Sequence, residues 1–282
     1  MGNRWFARPQ VWLEAFVLVN LAFLAPDIYL AHATNLFRHS GEYLPLYFSL
    51  AAPVVLVIAA IAAAIGRRRW WQVLGHIVGW GAVVLGVSGL ILHLGSHFFY
   101  ENTLANLVYS APFAAPLAYT GLGLLLIMNR MVKPESIEWP MWVLLLAMGG
   151  FVGNFIFSVT DHAQNGFFHA GEWIPVAASA FAIAFLMAPF LVQVTRSYLA
   201  ICAVIMVGQV GVGLLGTFYH TAANLRGSSP RWFDNFVYGT PAMAPLLFPN
   251  LALLVFIGLW SLRTHLPVKA AAARGRADPA RT

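Results

Sequence analysis

Residues 45–69 read PLYFSLAAPVVLVIAAIAAAIGRRR, a run of 22 residues without a charge followed by three arginines. The hydrocarbon core of a bilayer takes a helix of roughly 20 apolar residues, so this stretch is long enough to cross a membrane. Arginines directly after such a run are typical of the cytoplasmic end of a span. The stretch therefore predicts a membrane-spanning helix whose last turn faces the cytoplasm.

Apolar runs of this kind recur along the whole chain. Of its 282 residues 60% are hydrophobic and 9% charged, whereas a soluble domain carries roughly 25% charged residues. We predict an all-α, polytopic membrane helix bundle of about eight spans in a bacterial-type inner (plasma) membrane, with the lipid bilayer as its main partner. The predicted spans are 11–31, 45–66, 71–94, 107–128, 140–160, 174–194, 198–218 and 237–262.

The basic residues predict the orientation of the bundle. Thirteen of the 16 Lys and Arg flank the runs on one side, and only Arg38, Arg226 and Arg231 lie on the other. By the positive-inside rule both termini are predicted to be cytoplasmic. Because these residues sit at span ends rather than among aromatics on one face, the net charge of +6 does not indicate nucleic-acid binding. Residues 266–282, rich in Ala and Arg, are predicted to be a disordered cytoplasmic tail.

An internal repeat relates the two halves of the chain. Residues 32–47 read HATNLFRHSGEYLPLY and residues 162–177 read HAQNGFFHAGEWIPVA, with 8 of 16 positions identical at an offset of 130. Such self-similarity at a fixed spacing indicates a duplicated structural unit. Both copies fall in connections between spans that the predicted orientation places on the extracytoplasmic side.

A second match supports the same duplication. Residues 105–117 and 234–246 share 7 of 13 positions at an offset of 129. We predict two tandem four-span repeats, residues 1–133 and 134–265. An even number of spans gives both repeats the same orientation, so they are predicted to be parallel.

The repeated motif contains residue types that bind metals. At about 100° per residue, His32, Asn35, His39 and Glu42 fall within roughly 80° of one helical face. Imidazole and carboxylate are ligands of zinc, iron and manganese. Ionisable side chains at membrane depth generally face an interior cavity and serve function. The second copy carries the same face as His162, Asn165, His169 and Glu172.

Two further histidines come from the connections after spans three and seven. His97 aligns with His220 if about six residues within the stretch LRGSSPR are inserted in the second half, and His93 then aligns with Gly216. We predict one outward-facing metal site shared by the two repeats. Its predicted metal ligands are His32, His39, His97, His162, His169 and His220.

Other polar groups are predicted to support this site. Glu42 and Glu172 are the predicted catalytic residues, either as ligands or as a general base. Taken singly, all of these residues are also typical of membrane interfaces, where they cap helices and contact headgroups. Four side chains are predicted to bind the cofactor through hydrogen bonds that orient its ligands, namely Asn35, Asn165, Tyr109 and Tyr238.

Two features have no assigned part in the site. The pairs Pro112/Pro116 and Pro241/Pro245 fit helix starts or kinks better than broken helices that line a cavity. Asp161 has no carboxylate at the repeat-related position, so it is predicted to contribute to one half only.

Three functional classes fit the pattern. We favour a membrane metalloprotein with iron, zinc or copper, acting as an oxidoreductase on a hydrophobic substrate. A b-type haem electron-transfer subunit is the alternative, although haem requires no Glu beside its ligands. A transporter of metal or small molecules is the third, although the polar residues gather at one face of the membrane. A structural or assembly subunit remains possible, and the sequence identifies no partner chain.

Overall fold

The chain folds as a bundle of α-helices. A computed structural model describes residues 8–266, and within that range there are ten α-helices and no strand. Seven of the described helices are long and apolar enough to cross a membrane. These helices confirm the all-α prediction and fit an integral membrane protein. Apart from Leu266, the predicted tail lies outside the described residues.

Single turns of 3₁₀-helix lead into three of the helices, at Ser40–Glu42, Ala170–Glu172 and Ala244–Leu246. In chain order the α-helices are α1 (Pro9–Ala33), α2 (Tyr43–Ala64), α3 (Arg68–Ser96), α4 (Leu104–Tyr109), α5 (Leu117–Met131), α6 (Glu138–Ala163), α7 (Trp173–Leu191), α8 (Arg196–Leu225), α9 (Trp232–Val237) and α10 (Leu247–His265).

The fourth and eighth predicted spans begin too early. The span predicted at 107–128 covers the end of α4, a non-helical stretch at 110–116 and most of α5. Prediction 237–262 starts at the end of α9, although α10 begins only at Leu247. Proline lacks the backbone N–H of a helix interior but suits a helix start, and Pro116 is the N-cap of α5. With 15 residues, α5 is about 22 Å long, shorter than a bilayer core of roughly 30 Å.

The helices pack as two sets of four. In the first set α1 packs on α2, α2 on α3, α3 on α5, and α5 back on α1. In the second set α6 packs on α7, α7 on α8, α8 on α10, and α10 back on α6. The sets meet through α5 with α6 and through α1 with α10, while short α4 crosses to α6 and short α9 crosses to α1. Each of these helix contacts in one half therefore has a matching contact in the other.

Glycines set the distance between helices at the end of the bundle where α1 and α6 finish, which we call the motif end. A Cβ added to Gly86 of α3 would lie 2.7 Å from the carbonyl oxygen of Pro116, and one added to Gly213 of α8 would lie 2.7 Å from that of Pro245. Only glycine permits this approach, as is common between membrane helices. The same contact thus fixes α3 against α5 and α8 against α10.

Among residues 8–266, the opposite end of the bundle holds a buried ion pair in the first half and none in the second. Nη1 and Nη2 of Arg130 donate to the two carboxylate oxygens of Glu14 at 2.6 and 3.1 Å, and the guanidinium lies 4.4 Å from the ring centre of Trp71. The Arg130 side chain is fully buried. At the repeat-related positions stand Leu144 and Leu259, both buried.

Candidate functional site

The first copy of the motif is a turn rather than one helical face. Helix α1 ends at Ala33, and Leu36 and Phe37 follow with φ of 61° and 51°. Left-handed backbone of this kind cannot continue a right-handed helix. The prediction of a single helical face is therefore wrong. The turn instead folds Glu42, at the start of α2, back against His32 in the last turn of α1.

The carboxylate of Glu42 is held by three partners. Its Oε2 lies 3.3 Å from Nδ1 of His32, and its Oε1 accepts from Nδ2 of Asn35 at 3.2 Å and from the backbone N–H of His39 at 3.3 Å. The Glu42 side chain is only 12% exposed. Within residues 8–266 its Oε2 is buried and receives no hydrogen bond. This oxygen therefore keeps a lone pair that a proton or a cation can use.

The second copy repeats this arrangement with slightly longer distances. Oε2 of Glu172 lies 3.6 Å from Nδ1 of His162, and Nδ2 of Asn165 donates to Oε1 at 3.4 Å. As in the first half, the described residues give Oε2 no hydrogen bond. The turn uses Gly166 at φ 71° and Phe167 at φ 54°. The sequence motif thus specifies the same local structure twice.

A second histidine joins each motif. The ring centre of His93, on α3, lies 6.3 Å from that of His32, and the ring centre of His220, on α8, lies 6.4 Å from that of His162. The ring planes are steeply inclined in both cases, at 75° and 80°. Each half therefore contains two imidazoles and one carboxylate, which we call the His–His–Glu cluster.

The second imidazole of each cluster is fixed by a proline carbonyl. Nδ1 of His93 lies 3.0 Å from the carbonyl oxygen of Pro112, and Nδ1 of His220 lies 2.9 Å from that of Pro241. A carbonyl oxygen can only accept, so chemistry assigns the proton to Nδ1. In the neutral ring Nε2 then keeps its lone pair, which is the form that binds metals.

These contacts change the predicted pairing of histidines. The alignment paired His220 with His97, but the structure pairs it with His93. The offset between α3 and α8 is 220 − 93 = 127 residues, and the glycine contacts give the same value, 213 − 86 = 127. The predicted six-residue insertion is wrong, because α7, with 19 residues, is already three residues shorter than α2, with 22. His97 follows α3 as its C-cap and is exposed.

Four other predicted site residues have exposed side chains. His39 donates its backbone N–H to Glu42, but its side chain is exposed. His169 is also exposed, and its ring contacts Phe168. The side chains of Tyr109 and Tyr238 are 68% and 63% exposed. In the part of the chain that the structure describes, none of these four side chains contacts a His–His–Glu cluster.

Stacked aromatic rings cover each cluster. Phe37 stacks on Tyr43 with ring centres 4.6 Å apart, and Phe167 stacks on Trp173 at 3.9 Å. The ring centres of the two phenylalanines lie 5.8 and 6.1 Å from those of the histidines of the motif. Such a cover limits water and lowers the local dielectric constant, which strengthens the attraction between imidazole and carboxylate. The repeated Phe and the Tyr or Trp after Glu were visible in the sequence motif.

The two clusters are separate. Every described contact of His32 and Glu42 lies in the first half, and every described contact of His162 and Glu172 lies in the second. One site shared between the repeats, as predicted from the sequence, is not formed by these contacts. Within residues 8–266 no group of three or more His, Cys, Asp or Glu side chains is arranged to hold a metal ion.

Comparison with known proteins gives no relative for this chain. It matches no protein-family model, no curated protein and no solved structure. The function must therefore be argued from the geometry of the two clusters.

Proposed function

We propose that the chain is an eight-span membrane oxidoreductase made of two parallel four-helix repeats, each with a transition-metal centre at its extracytoplasmic end. The observation that carries this proposal is the pair of imidazoles, present in both halves, whose Nδ1 atoms already face an oxygen. The eighth span is α5, and the repeat-related match of contacts between the two halves supports the duplication. The positive-inside rule supports the orientation.

The separation of the rings supports one ion between each pair. A metal lies about 2.0–2.1 Å from a ligating imidazole nitrogen, and the ring centre lies about 1 Å further on. Two imidazoles on opposite sides of an ion therefore have ring centres about 6 Å apart. The observed separations of 6.3 and 6.4 Å agree with this value. We assign His32 with His93, and His162 with His220, as the metal-binding pairs.

The glutamates then have a role beside the metal. A carboxylate that accepts from Nδ1–H of a ligating imidazole fixes the ring and raises its basicity. Oε2 of Glu42 and of Glu172 lies 3.3 and 3.6 Å from Nδ1 of the motif histidines, so a small shift of either side chain would make this hydrogen bond. The remaining lone pair on Oε2 suits a general base that takes a proton from a substrate at the centre. The lipid-facing surroundings favour a hydrophobic substrate.

A b-type haem electron-transfer protein is the second candidate. A zinc or non-haem iron ion takes at least four ligands, and each cluster offers two free imidazole nitrogens. Haem iron brings four nitrogens of its own and needs only two axial imidazoles from the protein. The absence of a third metal ligand in the described residues favours this candidate over a mononuclear ion.

Elemental analysis and an absorption spectrum of the detergent-purified full chain test both candidates. We expect about two equivalents of one transition metal per chain. A Soret band in the absorption spectrum would show that the metal is the iron of haem. His93→Ala and His220→Ala should each remove about one equivalent. His97→Ala is the matched control, because it removes an exposed histidine four residues after His93 and should leave both equivalents.

Two outcomes would reject the proposal. One is a wild-type chain that binds no stoichiometric iron, zinc, copper, manganese or haem, either as purified or after reconstitution. The other is full metal content in both His93→Ala and His220→Ala. A size-exclusion profile like that of the wild type shows that a variant without metal is still folded.

A further inference from the structure

A small cavity lies between the two halves, close to the first His–His–Glu cluster. One wall is the non-helical stretch after α4, including Ser110 and Pro112, and the other is the last three turns of α6, including Asp161. The cavity has room for one water molecule or one small ion. Pro112 also accepts the hydrogen bond from His93, so this wall is shared with the first cluster.

Asp161 brings an unbalanced charge to this cavity. Within residues 8–266 its carboxylate has no hydrogen-bond or ion-pair partner, and it lies on a helix long and apolar enough to cross a membrane. Asp161 is half-buried and stands two residues before the end of α6. An unpaired carboxylate on a membrane helix is costly and generally marks a functional site. Residue 161 − 130 = 31 is the repeat-related position, and Ala31 stands there. The carboxylate on the α6 wall therefore has no duplicate at the related position of the first half.

The other polar groups of the cavity offer oxygen lone pairs. The hydroxyl of Ser110 donates to the carbonyl oxygen of Asn106, and that of Thr160 donates to a carbonyl one turn back in α6. Since each hydroxyl proton is used, each oxygen presents only acceptor capacity to the cavity. Nε2 of Gln164 donates one of its two protons to the carbonyl oxygen of Val108 at 2.9 Å. This leaves the amide oxygen of Gln164 as a further acceptor.

We propose that this cavity binds one sodium ion through the carboxylate of Asp161 and neutral oxygens of Ser110, Thr160 and Gln164. Hard cations prefer oxygen ligands, and one positive charge balances the one carboxylate. Membrane proteins with parallel or inverted repeats place coupling ions where a broken helix meets the other repeat. The break between α4 and α5, packed on α6, has that arrangement. The site goes beyond the proposed metal centres and does not depend on them.

Thermal unfolding of the full chain in detergent tests this site. NaCl is compared with choline chloride at equal ionic strength, on protein treated with a chelator so that bound transition metal plays no part. At a sodium concentration about 100 times Kd we expect Tm to rise by roughly 4 °C or more. Asp161→Asn should abolish the shift. Asp27→Asn should retain it, because Asp27 is another carboxylate on a membrane helix but does not line the cavity.

Direct binding of sodium to the wild type, by isothermal titration, provides the second measurement. One site per chain is expected, and this readout stands even if Asp161→Asn does not fold. The proposal is overturned by equal Tm in sodium, potassium and choline chlorides together with no titratable sodium site. It is also overturned by a sodium shift that persists unchanged in Asp161→Asn.

Discussion

The two halves of the chain form the same cluster at the motif end and differ at the opposite end. In both halves a histidine, an asparagine and a glutamate meet across a left-handed turn. At the opposite end the first half has the Glu14–Arg130 ion pair, whereas the second half has leucines at both positions. At this end of the bundle, an ion pair in one half and two leucines in the other occupy corresponding positions. The matched clusters are the feature that both halves share, and the proposed metal centres lie there.

The largest effect is expected from breaking the unmatched ion pair. Arg130→Leu removes the ion-pair partner of Glu14, whose side chain is 23% exposed and which keeps only the hydrogen bond from Nδ2 of Asn129 at 2.8 Å. Removing one partner of a buried pair costs several kcal/mol, and we expect about 3 kcal/mol because Glu14 keeps some contact with water. The free energy of unfolding, measured by denaturant titration in mixed micelles, checks this value.

The double variant Glu14→Leu/Arg130→Leu is its control. It copies the pair Leu144/Leu259 of the second half, and replacing a buried ion pair by apolar groups is often neutral or better. Most of the lost stability should therefore return. A double variant no more stable than Arg130→Leu would show that the two halves are not equivalent at this end.

The next effect concerns the glycine contacts that occur in both halves. Gly86→Ala and Gly213→Ala each place a Cβ 2.7 Å from a proline carbonyl oxygen, which the backbone cannot easily relieve. We expect each to lower stability by about 2 kcal/mol, as overpacking does. Gly211→Ala on the same helix as Gly213 meets no atom within 4 Å and should be neutral or slightly stabilising. A large loss in one half only would contradict the match between the halves.

A smaller effect is expected where an amide holds the glutamate. Asn35→Ala and Asn165→Ala remove the donor to Oε1 of Glu42 and Glu172. Loss of such an outer hydrogen bond typically weakens metal binding by about tenfold. Competition with a chelator measures the affinity of each centre. Thr34→Val is the control, because its hydroxyl donates to a helix carbonyl and does not touch the carboxylate.

The smallest effect is expected at the left-handed turn of each motif, where the two halves differ in residue type. Leu36 has φ 61° and is 80% exposed, while Gly166 stands at the matching position with φ 71°. A non-glycine residue pays roughly 1 kcal/mol for this conformation. Leu36→Gly should therefore stabilise the protein by about 1 kcal/mol, and Gly166→Leu should destabilise it by a similar amount. Changes of the same sign in both variants would refute this assignment of strain.

The sequence was sufficient for the helical class, for six of the long apolar helices and for the histidine and asparagine of the motif that lie beside each glutamate. The apolar runs and the motif repeated at an offset of 130 residues can both be read directly from the sequence. It was not sufficient for the turn, because a helical projection ignores the left-handed residues Leu36 and Phe37. Nor could it pair His93 with His220, because small length differences between connections shift the alignment and only helix packing restores it.

The crossing of α4 onto α6 and of α9 onto α1 has a consequence for how such a chain could arise. At the motif end, a short helix of each half packs on a long helix of the other half, so each half needs the other for its full set of contacts. Under the proposed duplication, an ancestor of half this length would pair as a symmetric homodimer, and fusion would join its two copies through the loop at 132–137. Two fragments divided in that loop and co-expressed should therefore assemble as a non-covalent heterodimer.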